Sequence, residues 1–137
     1  MRYILLVSVV LSLSWFLPNS AFAQEMLFHE SDFAGFQRMA AQENKAYMVY
    51  FTRTNCLPCQ KMQAETFKDP ELVALAQQKI LAYKANVDDF QSMDIAEQYK
   101  VSVYPTIIFF TPQGEIIGKL FGFQAAAKLI WLIQRHT

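Results

Sequence analysis

Ala46-Tyr47-Met48-Val49-Tyr50-Phe51-Thr52 runs, after three residues, into Cys56-Leu57-Pro58-Cys59. The first stretch is apolar and aromatic without alternation, as in a strand covered on both faces. The second leads into a helical pattern that begins near Gln60. Both cysteines of the chain lie here, with two residues between them. If Cys56 sits in the first turn of that helix, Cys59 follows one turn later on the same face, and the two sulfurs can meet as a disulfide. The positive end of the helix dipole favours a thiolate at Cys56 and lowers its pKa. A cysteine pair entering a helix after a buried strand is expected to be a redox centre, with the first sulfur exposed and readily ionised.

Two plainer roles fit the cysteines less well. A structural disulfide closing so short a loop removes little chain entropy, so it stabilises weakly. Tetrahedral zinc wants four ligands, and only His29 and His136 remain, near opposite ends of the chain. No metal or other cofactor is expected.

The first part of the 137-residue chain reads as a leader rather than as fold. Arg2 is followed by an apolar run from Tyr3 to Leu17, broken only by Ser8, Ser12 and Ser14. Pro18-Asn19-Ser20 then leads to Ala21-Phe22-Ala23, a small-x-small cleavage site. Residues 1–23 are therefore expected to be a signal peptide cut after Ala23, leaving one domain over 24–137. The apolar run is shorter than the roughly 20 residues of a membrane span, so no stable insertion is expected after cleavage. No cysteine follows the cut to carry a lipid. The chain has 12 basic and 12 acidic side chains, and losing Arg2 with the leader puts the acids one ahead. That balance gives nucleic acid no basic surface to bind. Export with two close cysteines points to a compartment where disulfides persist, and a bacterial periplasm fits best.

Along the mature chain, Gln24 to Glu30 is a short lead-in of undecided structure. Ser31 or Asp32 can cap a helix with Phe33, Phe36, Met39 and Ala40 at helical spacing, ended by Asn44. After the cysteines the helix is expected to reach about Thr66. Asp69-Pro70 restarts one whose buried stripe is Leu72, Val73, Leu75 and Ala76. A strand over 80–87 and a short helix over 93–99 follow. Thr106 to Phe110 is the next strand, and Thr111-Pro112-Gln113-Gly114 is a type I turn into an antiparallel strand over 115–120. Gly122 breaks the chain before a last helix, 124–135, expected to bury Leu129, Ile130 and Ile133. That order implies an α/β fold, a mixed central sheet flanked by helices on both faces.

With a C-x-x-C at the end of its first central strand, the chain resembles the thioredoxin family over nearly all of its mature length. Val103-Tyr104-Pro105-Thr106 is similar to the family's cis-proline loop. The resemblance implies a cis Tyr104–Pro105 bond, Pro105 beside the sulfurs, and a Tyr104 backbone that pairs with bound substrate. It also matches Lys84 to a lysine on the strand beside the active site and Gly122 to a glycine facing the substrate groove. Thr66-Phe67-Lys68-Asp69-Pro70 resembles the C-terminal thioredoxin-like domain of the membrane electron transporter DsbD and its small exported relatives. Two positions depart from the family. Asn55 stands where it usually has Trp, and Tyr50 stands where thioredoxins place the buried acid that helps deprotonate the second cysteine.

The implied activity is thiol–disulfide exchange, with Cys56 attacking and Cys59 resolving. Leu57 and Pro58 put no charge between the cysteines and resemble the reducing members. The expectation is a monomeric periplasmic reductase of disulfide-containing exported proteins, recharged by a membrane electron donor of the DsbD type. The alternatives are a disulfide oxidase or isomerase, and a non-catalytic binding module.

Overall fold

The structure is a computed structural model and describes residues 25–30 and 32–137. The leader expected over residues 1–23, the mature start at Gln24 and the alternative cap Ser31 lie outside the described residues. The elements are α1 (Phe33–Glu43), β1 (Tyr47–Thr52), α2 (Leu57–Ala64), a 3₁₀ turn (Thr66–Lys68), α3 (Pro70–Lys79), β2 (Leu81–Asn86), α4 (Phe90–Gln98), β3 (Thr106–Phe110), β4 (Ile116–Phe121) and α5 (Ala126–His136).

The sheet runs in the order β2-β1-β3-β4. β1 and β2 are parallel, β3 is antiparallel to β1, and β4 is antiparallel to β3. All six residues of β1 are buried, which fixes it inside the sheet. Its side chains alternate between two cores. Met48 and Tyr50 pack with Met62 of α2, Leu72 of α3 and Leu129 of α5. Tyr47, Val49 and Phe51 pack on the other face with Phe33 and Phe36 of α1 and Ile95 of α4. The second core is aromatic. Phe36 meets Tyr47 edge-on at 5.4 Å between ring centroids, and Tyr47 stacks on Phe110 at 4.7 Å.

Caps set the helix boundaries. Asp32 accepts the Ala34 and Gly35 N–H groups, and Asn44 ends α1 in the left-handed conformation at φ 49°. Asp69 accepts from Glu71 and Leu72 ahead of Pro70, the first residue of α3. Asp89 accepts from the Ser92 N–H, so α4 begins at Phe90, three residues before the expected start. At the other end, α5 begins at Ala126, two residues after the expected start, and the Gln124 amide donates to the Phe121 and Gly122 carbonyls. Ile130 is half-buried on that helix, whereas Leu129 and Ile133 are buried. The helix after the cysteines stops at Ala64, and the 3₁₀ turn carries the chain into α3.

The lead-in forms a single parallel bridge, His29 to Tyr83, rather than a strand. The His29 N–H donates to the Ala82 carbonyl at 2.8 Å, and the Lys84 N–H donates to the His29 carbonyl at 2.9 Å. These bonds cover the outer edge of β2.

Phe36 meets the rings of His29, Phe33, Tyr47 and Tyr83, so Phe36→Ala leaves a cavity that rigid rings cannot close. The expected loss in urea unfolding is about 3–5 kcal/mol. A loss below about 1 kcal/mol would mean that α1 does not dock here as described.

Candidate active site

Four chain segments meet at the C-terminal end of β1, and the sheet order sets their sequence along the rim. The β2–α4 loop comes first, then Cys56 after β1, then Pro105 before β3, then Gly122 after β4. The Thr54 N–H donates to Asp88 at 2.7 Å, tying the loop that enters the cysteines to the loop leaving β2. Hydrogen bonds from Thr54, its side chain first and its backbone second, hold the Asp88 carboxyl below the usual carboxylate range, and the nearby Arg53 adds to this.

Cys56 is the N-cap of α2 rather than a residue of its first turn. Its sulfur accepts the Cys59 N–H at 3.2 Å, where a serine or aspartate cap would offer oxygen. Cys56 and Cys59 form a disulfide with an S–S distance of 2.08 Å. The expected exposure of the first sulfur needs correction. Cys56 as a residue is only 8% exposed, because the cap position tucks it against the helix, and Cys59 is 0% exposed. The difference between the two still favours Cys56 as the outer sulfur. Leu57 and Pro58 project outward between them, with Leu57 at 80% exposure.

Beneath the helix, Tyr50 is fully buried and its hydroxyl donates to the Cys59 carbonyl at 3.2 Å. Its ring packs on Phe67 at 4.8 Å and Phe28 at 5.8 Å. Lys84 lies opposite Tyr50 in the β1–β2 register, but its ammonium pairs with Glu30 at 2.9 Å. Tyr50, Lys84, Glu30 and Gln63 line a cavity of about 250 Å³ behind the site.

The Tyr104–Pro105 peptide is cis and Pro105 is buried. The Tyr104 ring turns inward, its hydroxyl donating to the Val101 carbonyl at 3.3 Å, with the Arg53 guanidinium 5.7 Å from the ring centroid. The ladder between β1 and β3 ends at the pair Phe51–Thr106, so the Tyr104 backbone lies beyond the paired register. The Gly122 N–H donates to the Pro105 carbonyl at 2.7 Å. Gly122 has φ 75°, and a Cβ there would meet nothing within 4 Å. Its backbone conformation, more than crowding, is what calls for glycine.

The structure therefore brings together Cys56, Cys59, Leu57, Pro58, Tyr104, Pro105 and Gly122 at the rim, with Tyr50 and Lys84 behind it. Sequence reasoning missed two residues. Asp88 and Phe90 both fall between the strand expected over 80–87 and the helix expected over 93–99. The Asp88-Asp89 pair directly before Phe90 was the available signal: one acid for the loop, the next for the helix cap.

The sequence profile of the thioredoxin-like domain family matches residues 36–137. Thioredoxin-like protein slr0233 of Synechocystis sp. is 33% identical over 105 residues, covering 77% of this chain and 94% of that protein. The thiol:disulfide interchange protein DsbD of Escherichia coli is 30% identical over 80 residues, 58% of this chain and 14% of that longer protein. Among solved structures, the oxidised C-terminal domain of Neisseria meningitidis DsbD superposes with a TM-score of 0.62 at 18% identity. That match covers 79% of this chain and 98% of the other, and it is a likeness of fold.

Because folding lowers the Asp88 pKa, its bonds to Thr54 stabilise the native state fully above the ordinary carboxylate range. That contribution is lost as the pH falls through the lowered folded value. Asp88→Asn is expected to destabilise the protein at pH 7, with the gap from wild type closing as the medium is acidified. Urea unfolding at a series of pH values checks this, and a gap that stays constant into acid would refute it.

Proposed function

The chain belongs to the thioredoxin-like domain family, with the thioredoxin fold, and is a thiol–disulfide oxidoreductase; we propose that it is exported and there reduces the disulfides of other proteins through Cys56 and Cys59. The observation that carries this reading is the asymmetry of the two sulfurs. Cys56 stands at the rim and takes an N–H bond at a helix N-terminus, both of which favour a nucleophilic thiolate. Cys59 is sealed from any partner, which suits it to intramolecular attack alone.

The reaction starts from the dithiol. The Cys56 thiolate attacks a partner disulfide, forming a mixed disulfide and releasing one partner thiolate. Cys59 gives up its proton and attacks the Cys56 sulfur, expelling the second partner thiolate. Two electrons have then passed to the partner, and the enzyme is left with the Cys56–Cys59 disulfide. In this reading the cis Pro105 loop and Gly122 offer their backbone to the partner chain, while Tyr50 supports the helix from behind and Lys84 is held behind the site by Glu30.

Direction follows from what lies between the sulfurs. Neither Leu57 nor Pro58 carries a charge, so the helix terminus alone stabilises the reduced pair. That supports a reducing potential rather than the oxidising one a charged neighbour would give. Export rests on Arg2, the apolar run to Leu17 and the Ala21-Phe22-Ala23 site. An oxidising compartment needs a source of electrons to keep the pair reduced, and a membrane donor of the DsbD type fills that role.

Cys59→Ala is expected to trap exported proteins as mixed disulfides on Cys56, and the further change Cys56→Ala should abolish the adducts. An exported fraction that yields no adducts would refute the reading. The Cys56–Cys59 couple is expected to lie near about −270 mV, and a value near about −120 mV would instead make it an oxidase.

A further inference from the structure

We propose that Phe90 is a docking residue that selects partner disulfides flanked by apolar side chains. The inference rests on the exchange activity proposed above and adds a specificity to it. Phe90 is 84% exposed and Leu57 80%, the two highest values among the exposed large hydrophobic residues described. Both stand on the rim that carries the disulfide.

Phe90 is not core that failed to pack. Asp89 caps α4 through both the Ser92 N–H and the Ser92 hydroxyl, fixing Phe90 as the first helical residue. The buried residues of α4 are Ser92, Ile95 and Ala96. At about 100° per residue these lie on the side of the helix opposite Phe90, so turning the ring inward would turn Ile95 and Ala96 out. The register of the helix holds the ring in solvent.

Its place relative to the sulfurs follows from the sheet. β2 is the neighbour of β1, one strand spacing of about 4.8 Å away, and the two are parallel, so both end at the same rim. Asp88, two residues before Phe90, is bonded to Thr54, two residues before Cys56. The side chain next to Cys56 on that flank is the polar, exposed Asn55, which leaves Phe90 to supply apolar surface there.

The occupant is set by the chemistry. A partner sulfur must come to bonding distance of Cys56, so the residues beside the partner's cysteine are forced over whatever rims the site. On this flank they meet an aromatic ring with room to be covered. Apolar neighbours of the partner cysteine gain from burial against it, and polar ones lose their water for nothing in return.

The test uses two cystine-linked peptide dimers that differ only beside the cysteine, one with Phe on both sides and one with Ser. With a small-molecule dithiol in excess to return the Cys56–Cys59 disulfide to its reduced form, and its direct reduction of each dimer subtracted, wild type is expected to reduce the Phe-flanked dimer with a kcat/KM about ten-fold higher, carried by KM, the scale of discrimination an apolar contact provides. Phe90→Ser should remove the preference by slowing the Phe-flanked dimer alone, without changing the redox potential or Tm, and Phe90→Trp should keep it. Equal rates on both dimers for wild type, or a preference that survives Phe90→Ser, would overturn the inference and leave the exchange reading standing. Reduction of neither dimer would overturn both. A wild-type dimer that Phe90→Ser dissociates in sedimentation would assign the ring to a second copy of the chain instead.

Discussion

β1 has six consecutive buried residues, and a strand covered on both faces can only lie inside a sheet with helices above and below. The rest of the layout follows. Tyr50 and Met48 require one helical layer, which α3 and α5 supply, while Tyr47, Val49 and Phe51 require the other, which α1 and α4 supply. With a parallel neighbour on one side and an antiparallel one on the other, the strand delivers three further loops to the end where it exits. The cysteines need no dedicated architecture, because they sit where the most constrained strand in the molecule has to stop.

The division of labour between the sulfurs is likewise a consequence of position. A residue at the N-cap has its side chain turned back over the first turn, where it meets the N–H three residues on. Cys56 therefore receives a hydrogen bond and the field of the helix, and Cys59 supplies the N–H while its own side chain points into the core. One short segment sets one sulfur at a helix cap and buries the other, with no charged side chain between them.

Much of this was legible in the sequence, because the signals were local and redundant. The aromatic run at 47–51, the cap Asp69 and the turn at 111–114 each pointed to one local structure, and the spacing and setting of the cysteines outweighed a structural disulfide or a zinc site. The errors lay at element boundaries, where competing local hydrogen bonds decide between a loop and a helix end. Gln124 could have begun a helix, but its amide caps the end of β4 instead. Phe90 is the first residue of α4 because Asp89 caps the helix directly before it. The low exposure of Cys56 was invisible because it depends on the exact cap geometry rather than on the motif. The lead-in was undecidable from sequence, since its one bridge to β2 depends on an edge the folded sheet leaves open.

Tyr50 shows what the interior gained and gave up at the position below the second cysteine. An ionised carboxylate there would need partners to offset a desolvation penalty of several kcal/mol. The Lys84 ammonium, the nearest cation in register, is already held by Glu30. A tyrosine avoids that penalty: its ring joins Phe28 and Phe67, and its hydroxyl finds the Cys59 carbonyl. The hydrogen bond is worth about 1 kcal/mol, and the buried ring more than that. The floor beneath α2 is therefore neutral, closed by ring packing and one hydrogen bond rather than by a buried charge.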